Sequence, residues 1–229
     1  MSLIHHTTLT PTKLELLAEW LPRQPWYAGA ERRPELVKAG GFRLDDPLGE
    51  VGVEFMVVTD QDGAAYHVPM GYRGAPLTGA EDALIGTTEH GVLGRRWVYD
   101  GTHDPVVVAQ LAALIRGEAE AQAQSVSDTP DPTVTRHYAG PADAAVSGAG
   151  SAADGPDATT DVTLDGGPAG RLVLRVTRAL RPGATGGADG VDGADGADAL
   201  GHVAARWQRP DGTEARAVFA TLVGAPTAG

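Results

Sequence analysis

The sequence predicts an α+β fold: an antiparallel β-sheet flanked by helices, followed by a smaller β-rich unit. Three observations carry this expectation. A helical stripe of Leu14, Leu17, Ala18 and Leu21 opens the chain. Alternating apolar segments then follow one another across short turns, as antiparallel strands do. A second helix closes the first part, after which only strand-like segments recur.

Each element has its own reason. Thr12 and Glu15 have capping-box spacing, so each can satisfy a free N–H at a helix start. Pro22 should end that helix, because it lacks the N–H and crowds the preceding turn. "ELVKAGGFRL" reads as a strand. "VGVEFMVVT" and "AAYHVPMGYR" flank "DQDG", whose Asp62-Gly63 suits a hairpin turn. Val51, Val53, Phe55 and Val57 alternate with Gly52, Glu54 and Met56, which predicts one well-buried face. "GRRWVYD" is a further strand. Asp104-Pro105 supplies an N-cap and a first-turn proline, predicting a helix over 105–120.

Downstream, "TVTRHY", "DVTL" and the stronger "GRLVLRVTRAL" are strand candidates. "HVAARWQRPDGTEARAVFATLV" reads as a hairpin around Pro210-Asp211-Gly212. Two stretches, 139–160 and 181–201, are rich in Ala, Gly and Asp. Their composition offers little burial against the entropy of ordering, so both are expected to be mobile loops. The organisation predicted is a domain over 1–122, a linker over 123–133 and a β-rich unit over 134–229.

Composition narrows the function. The 229 residues carry a net charge of −12, which argues against nucleic-acid and anionic-membrane partners, since both need clustered Lys and Arg. The sequence contains no Cys, which removes disulfides and thiolate metal sites. The N-terminal residues lack an apolar leader, and no apolar run is long enough to cross a bilayer, so a cytoplasmic protein is expected.

"LAEWLPRQPWYAGAERRP", followed by a β-rich stretch and "DALIGTTEHGVLGRRWVYDGTHDPVVVAQLAALIRG", resembles the N-terminal cap of actinobacterial maltokinases over about residues 12–117. The resemblance implies a curved antiparallel sheet with helices, preceding an aminoglycoside-phosphotransferase-like kinase. Pro25 stands where the family has Arg, and Ala30-Glu31 where it has Lys-Gly. Trp20, Leu21, Pro22, Trp26, Tyr27 and Gly29 keep the family pattern; these are residues that pack and turn. An aromatic plug under the first helix is therefore the leading reading of Trp26 and Tyr27. A sugar-stacking platform is the second. Arg32 and Arg33 lie beside them as a small basic island that could dock sugar or partner.

"LVLRVTRALRPG" resembles a strand of the kinase N-lobe, in which a Lys grips nucleotide phosphates. Arg175 takes that position here, making it the one candidate for cofactor binding that the resemblance implies. An ordinary strand with a polar face is the simpler reading. Such a kinase also implies a His-Gly-Asp loop, a downstream Asn and an Mg²⁺-holding Asp. "GTHDP" offers His103 and Asp104, but Pro105 follows and Asp104 is better placed to cap the helix.

Other constellations carry less. Asp189, Asp192, Asp195 and Asp198 are three apart, whereas calcium loops place ligands two apart and end on a bidentate Glu. The histidines show no ligand spacing, and "SGAGSAADG" lacks the Lys of a phosphate loop. Neither metal nor cofactor is expected. The function read from these residues is a non-catalytic, stand-alone cap-like module. Its resemblance implies an interaction or regulatory role in maltose, trehalose or glycogen metabolism, with an enzyme of that metabolism as partner. Two alternatives stay open: the N-terminal part of a split or divergent ATP-dependent sugar kinase, and a sugar-binding module.

Overall fold

The computed structural model describes residues 9–29, 32–124, 129–141, 146–167, 170–183 and 199–224. His5, His6, the Ala30-Glu31 departure and the acidic stretch 188–198 lie outside them. Among the described residues the architecture is mainly antiparallel β-sheet, with two short α-helices.

In the first part, β1 (Leu9–Thr10) leads into α1 (Lys13–Trp20). Both halves of the capping box form: Glu15 N donates to Thr12 Oγ1, and Thr12 N donates to Glu15 Oε2 at 2.7 Å. Pro22 does not stop the chain but sits in a 3₁₀ turn, Leu21–Arg23, that continues α1. The next strands are β2 (Val37–Leu44), β3 (Gly52–Thr59), β4 (Ala65–Arg73), β5 (Leu84–His90) and β6 (Gly94–Asp100). After a 3₁₀ turn, α2 (Pro105–Arg116) ends at Gly117, whose left-handed φ of 84° closes the helix earlier than the predicted residue 120. A short β7 (Gln122–Ala123) pairs with β2.

The second part contributes β8 (Thr135–Tyr138), β9 (Ser147–Gly155), β10 (Thr159–Asp165), β11 (Arg171–Thr177), β12 (Ala179–Leu180), β13 (Ala199–Gln208) and β14 (Glu214–Gly224). Among the described residues the strands join in one sheet, ordered β1-β5-β6-β4-β3-β2-β13-β14-β11-β10-β9, with β12, β7 and β8 as side pairings. Residues 147–155 are thus a strand, where composition predicted a mobile loop. Their backbone pairs with β10 from Gly155↔Thr159 to Ser147↔Asp165, and Val146 and Ala152 pack against the core. An edge strand needs backbone partners more than bulky side chains.

The junction between the two parts rests on Gly40-Gly41. Trp207 pairs with Gly40, and a Cβ there would stand 3.1 Å from the Arg206 carbonyl and the Trp207 Cα. Gly41 takes φ of 125°, and a side chain on it would collide with the Phe55 carbonyl. β4 holds a proline mid-strand, which is rare in a central strand. His67 N donates away from β3 to the Arg178 carbonyl, so the position of Pro69, two residues on, faces the same side. There β4 changes partner from β12 (Ala65, Tyr66) to β6 (Met70–Arg73), and no ladder donor is needed.

β3 and β4 are buried on both faces, not on the single face that alternation predicted. Phe42, Val53, Phe55 and Val57 share one core with Leu111 and Ile115 of α2, and with Val162, Leu174, Trp207 and Phe219 of the second part. Met56, Val58, Tyr66, Val68 and Met70 pack on the opposite face against Leu17, Trp20, Leu21 and Trp26. α2 contacts β4, β8, β9, β13 and β14, so it lies between the two parts of the sheet.

Candidate functional site

The segment 20–29 reaches the sheet as a packed aromatic cluster. Trp20 meets Trp26 edge-on at 5.7 Å between ring centres, Trp26 lies 6.3 Å from Tyr66, and Tyr27 lies 5.0 Å from Tyr66. Trp26 is only 7% exposed, which leaves no open indole face for a pyranose. Tyr27 is half-buried, and burial raises its phenol pKa, with Asp60 and Asp62 adding to the effect. Burial likewise pushes Tyr66 up to about 12. The plug geometry is what these residues adopt.

Beneath Trp26 lies a charge that no sequence motif marks. Arg178 is completely buried, its guanidinium 5.0 Å from the centre of the Trp26 ring. Its Nη2 donates to Asp100 Oδ2 at 2.6 Å and to Thr102 Oγ1 at 2.8 Å, and its Nε donates to Thr160 Oγ1 at 2.8 Å. The Arg178 carbonyl accepts from His67 N at 2.8 Å. One side chain therefore ties the end of β6, the turn after it, the start of β10 and the aromatic plug.

His67 stands behind this lock, between Phe55 (6.1 Å) and Phe219 (4.5 Å). Its Nδ1 is 2.9 Å from the Thr177 carbonyl, an acceptor, so Nδ1 carries the proton. Burial lowers its pKa to about 3, outweighing the Thr177 hydrogen bond, and the Arg178 charge adds to the lowering. This histidine is neutral across the ordinary pH range. On the opposite face of the sheet, buried Glu54 accepts from Lys13 Nζ and the Tyr72 hydroxyl, both at 2.6 Å. Desolvation works against its ionised form, but Lys13 and Tyr72 prevail and hold its pKa below the usual value. A charged residue inside "VGVEFMVVT" was the available signal for this pair, as was an Arg between Thr177 and Ala179 for the lock.

Of the residues singled out from sequence, Trp26 and Tyr27 share the contact with Tyr66. Arg175 is on β11, directly across from Asp161 of β10, which it grips at 2.8 Å through both Nε and Nη2. Arg32 is exposed, and Arg33 is exposed 3.6 Å from Glu19. Asp104 caps α2 through Val106 N at 2.9 Å, as the sequence predicted, and also binds Arg73 at 2.6 and 2.7 Å. Among the described residues no three His, Asp or Glu side chains gather as a metal-binding group. A groove of about 510 Å³ opens beside the end of α2, lined in part by Glu118, Glu120, Asp131 and Arg136, away from the lock.

Residues 20–104 match the family model of the maltokinase N-terminal cap domain. The first part of the chain is maltokinase-cap-like. The matched span begins at Trp20, takes in the aromatic plug and β2 to β6, and reaches Asp104. Arg175, Arg178 and β8 to β14 lie beyond it. The matched span therefore supplies Trp26, His67 and Asp100 to the lock, while Arg178 and Thr160 come from the rest of the chain. No helix among the described residues is long and apolar enough to cross a membrane.

Proposed function

We propose that this chain is a non-catalytic, cap-like binding module whose partner is an enzyme of maltose, trehalose or glycogen turnover. The observation that carries the reading is the internal pairing of the arginines suited to phosphate. Arg175, at the nucleotide-gripping position of the kinase resemblance, holds Asp161 in a two-point ion pair at 2.8 Å. Arg178 is held by Asp100, and Arg73 by Asp104. A phosphate ligand would have to displace a carboxylate from each and leave that carboxylate without its arginine partner. The match to the cap domain supports the metabolic setting.

The test is direct. The purified chain is incubated with ATP, Mg²⁺ and maltose, glucose or glucosamine, and sugar phosphate is measured. None is expected. ATP-dependent sugar phosphate that disappears in Arg175→Ala would establish the divergent-kinase alternative instead. Affinity purification from the native host is expected to enrich an enzyme acting on maltose, trehalose or glycogen; enrichment of a separate kinase catalytic lobe would point to a split kinase.

A further inference from the structure

His137 and His202 are 65 positions apart in the sequence, yet the sheet sets them directly opposite each other. β8 pairs with β13 in the register His202↔His137, and the two ring centres are 5.8 Å apart with planes tilted by 34°. His137 is exposed and His202 half-buried, so the pair is open to solvent from one side. An imidazole nitrogen binds a late first-row ion at about 2.0–2.1 Å, which puts the ring centre roughly 3.2 Å from the ion. Two rings on one ion can therefore have centres up to about 6.4 Å apart. The observed separation falls inside that reach.

We propose that His137 and His202 form a two-histidine site for a divalent transition-metal ion such as Zn²⁺, Ni²⁺ or Cu²⁺, with water completing the coordination, and that the ion clips β8 onto β13. Imidazole suits these ions, whereas Mg²⁺ and Ca²⁺ demand oxygen ligands that the pair does not provide. A neutral imidazole supplies the ring lone pair that such an ion needs, and Arg216 lies near the pair. The Arg216 guanidinium is itself directed along β8, to the Thr133 carbonyl and the Thr135 hydroxyl. A clip there has a mechanical consequence. β8 is four residues long, follows the predicted linker, and has β13 as its only strand partner among the described residues. This site is independent of the proposed function.

The experiment uses the full chain carrying His5→Ala and His6→Ala, which removes the adjacent terminal histidines as a competing site. Calorimetric titration with Zn²⁺ and Ni²⁺ is expected to show one ion per chain, and titration with Mg²⁺ or Ca²⁺ none. His137→Asn and His202→Asn should each weaken binding by at least about tenfold, equivalent to about 1.4 kcal/mol. Zn²⁺ should slow hydrogen exchange over 135–138 in the parent but not in either variant. His137 is exposed, so its variant keeps the test valid even if His202→Asn fails to fold. Unchanged affinity in His137→Asn, or no binding once His5 and His6 are gone, would overturn the site. Binding without slower exchange would overturn the clip.

Discussion

Arg178 and Asp100 are both buried, so the contribution of each depends on the other being beside it. Removing one partner of a buried pair leaves an uncompensated charge and costs about 3–5 kcal/mol. Arg178→Met is therefore expected to lose that much in urea denaturation. Arg178→Met combined with Asp100→Asn should lose less than the sum of the two single variants; strict additivity would show that the pair is not coupled. His67 gives a pH signature of its own. Its folded pKa, about 3, lies below the unfolded value of 6.5. Between these values the unfolded state binds the extra proton, so the stabilisation is complete above pH 6.5 and is lost as pH falls toward 3. His67→Phe should lower stability at pH 7 by about 1–3 kcal/mol, because the Thr177 carbonyl loses its donor. It should also flatten the acid-side slope between pH 6 and 4 by up to about 1.4 kcal/mol per pH unit. Parallel denaturation profiles for variant and parent would sink this account.

α2 is fixed by the residue that caps its start as much as by its apolar face. Asp104 is fully buried, caps Val106 N and pairs with Arg73, and it lies so close over β4 that a Cβ on Gly71 would come within 2.5 Å of its Oδ2. Loss of a cap costs about 1 kcal/mol, and an abandoned charge-assisted bond about 1.5–3 kcal/mol. Asp104→Ala should thus destabilise by about 2–4 kcal/mol. Asp104→Ser, which restores only the cap, should recover roughly 1 kcal/mol of it; equal losses in thermal or urea melts would mean that the cap contributes nothing. Both helices were legible because caps and prolines are local signals. β9 was not: composition records only what side chains can bury, whereas that strand is held by backbone pairing to β10.

Across the whole molecule, one core joins the cap-like part to the second part. Phe42, Phe55, Leu111 and Ile115 pack with Val162, Leu174 and Phe219, and β2 meets β13 at Gly40. Unfolding should consequently be a single cooperative event. Trp20, Trp26 and Trp97 report on the first part and Trp207 on the second, so fluorescence of single-Trp variants and calorimetry should give coincident transitions. A fragment of residues 1–122 should not fold cooperatively, since it would expose the face that β10 to β14 cover. Two well-separated transitions would refute this.

By itself the sequence determined the local matters: two capped helices, the hairpin at Asp62-Gly63, the alternation of β11, the resemblance to the cap, and the absence of thiol chemistry. Each depends on residues within a few positions of one another, where backbone geometry and capping bonds decide the outcome. Tertiary structure alone decided the rest. It buried both faces of β3 and β4, because α1 with its aromatic plug covers one side and α2 with the second part covers the other. It gave Asp161 to Arg175 across a strand pair, and brought Arg178 to Asp100 over 78 positions and His137 to His202 over 65. Such contacts follow from sheet register and strand order, which no local pattern encodes, because the free energy that fixes them is the burial of faces contributed by distant segments.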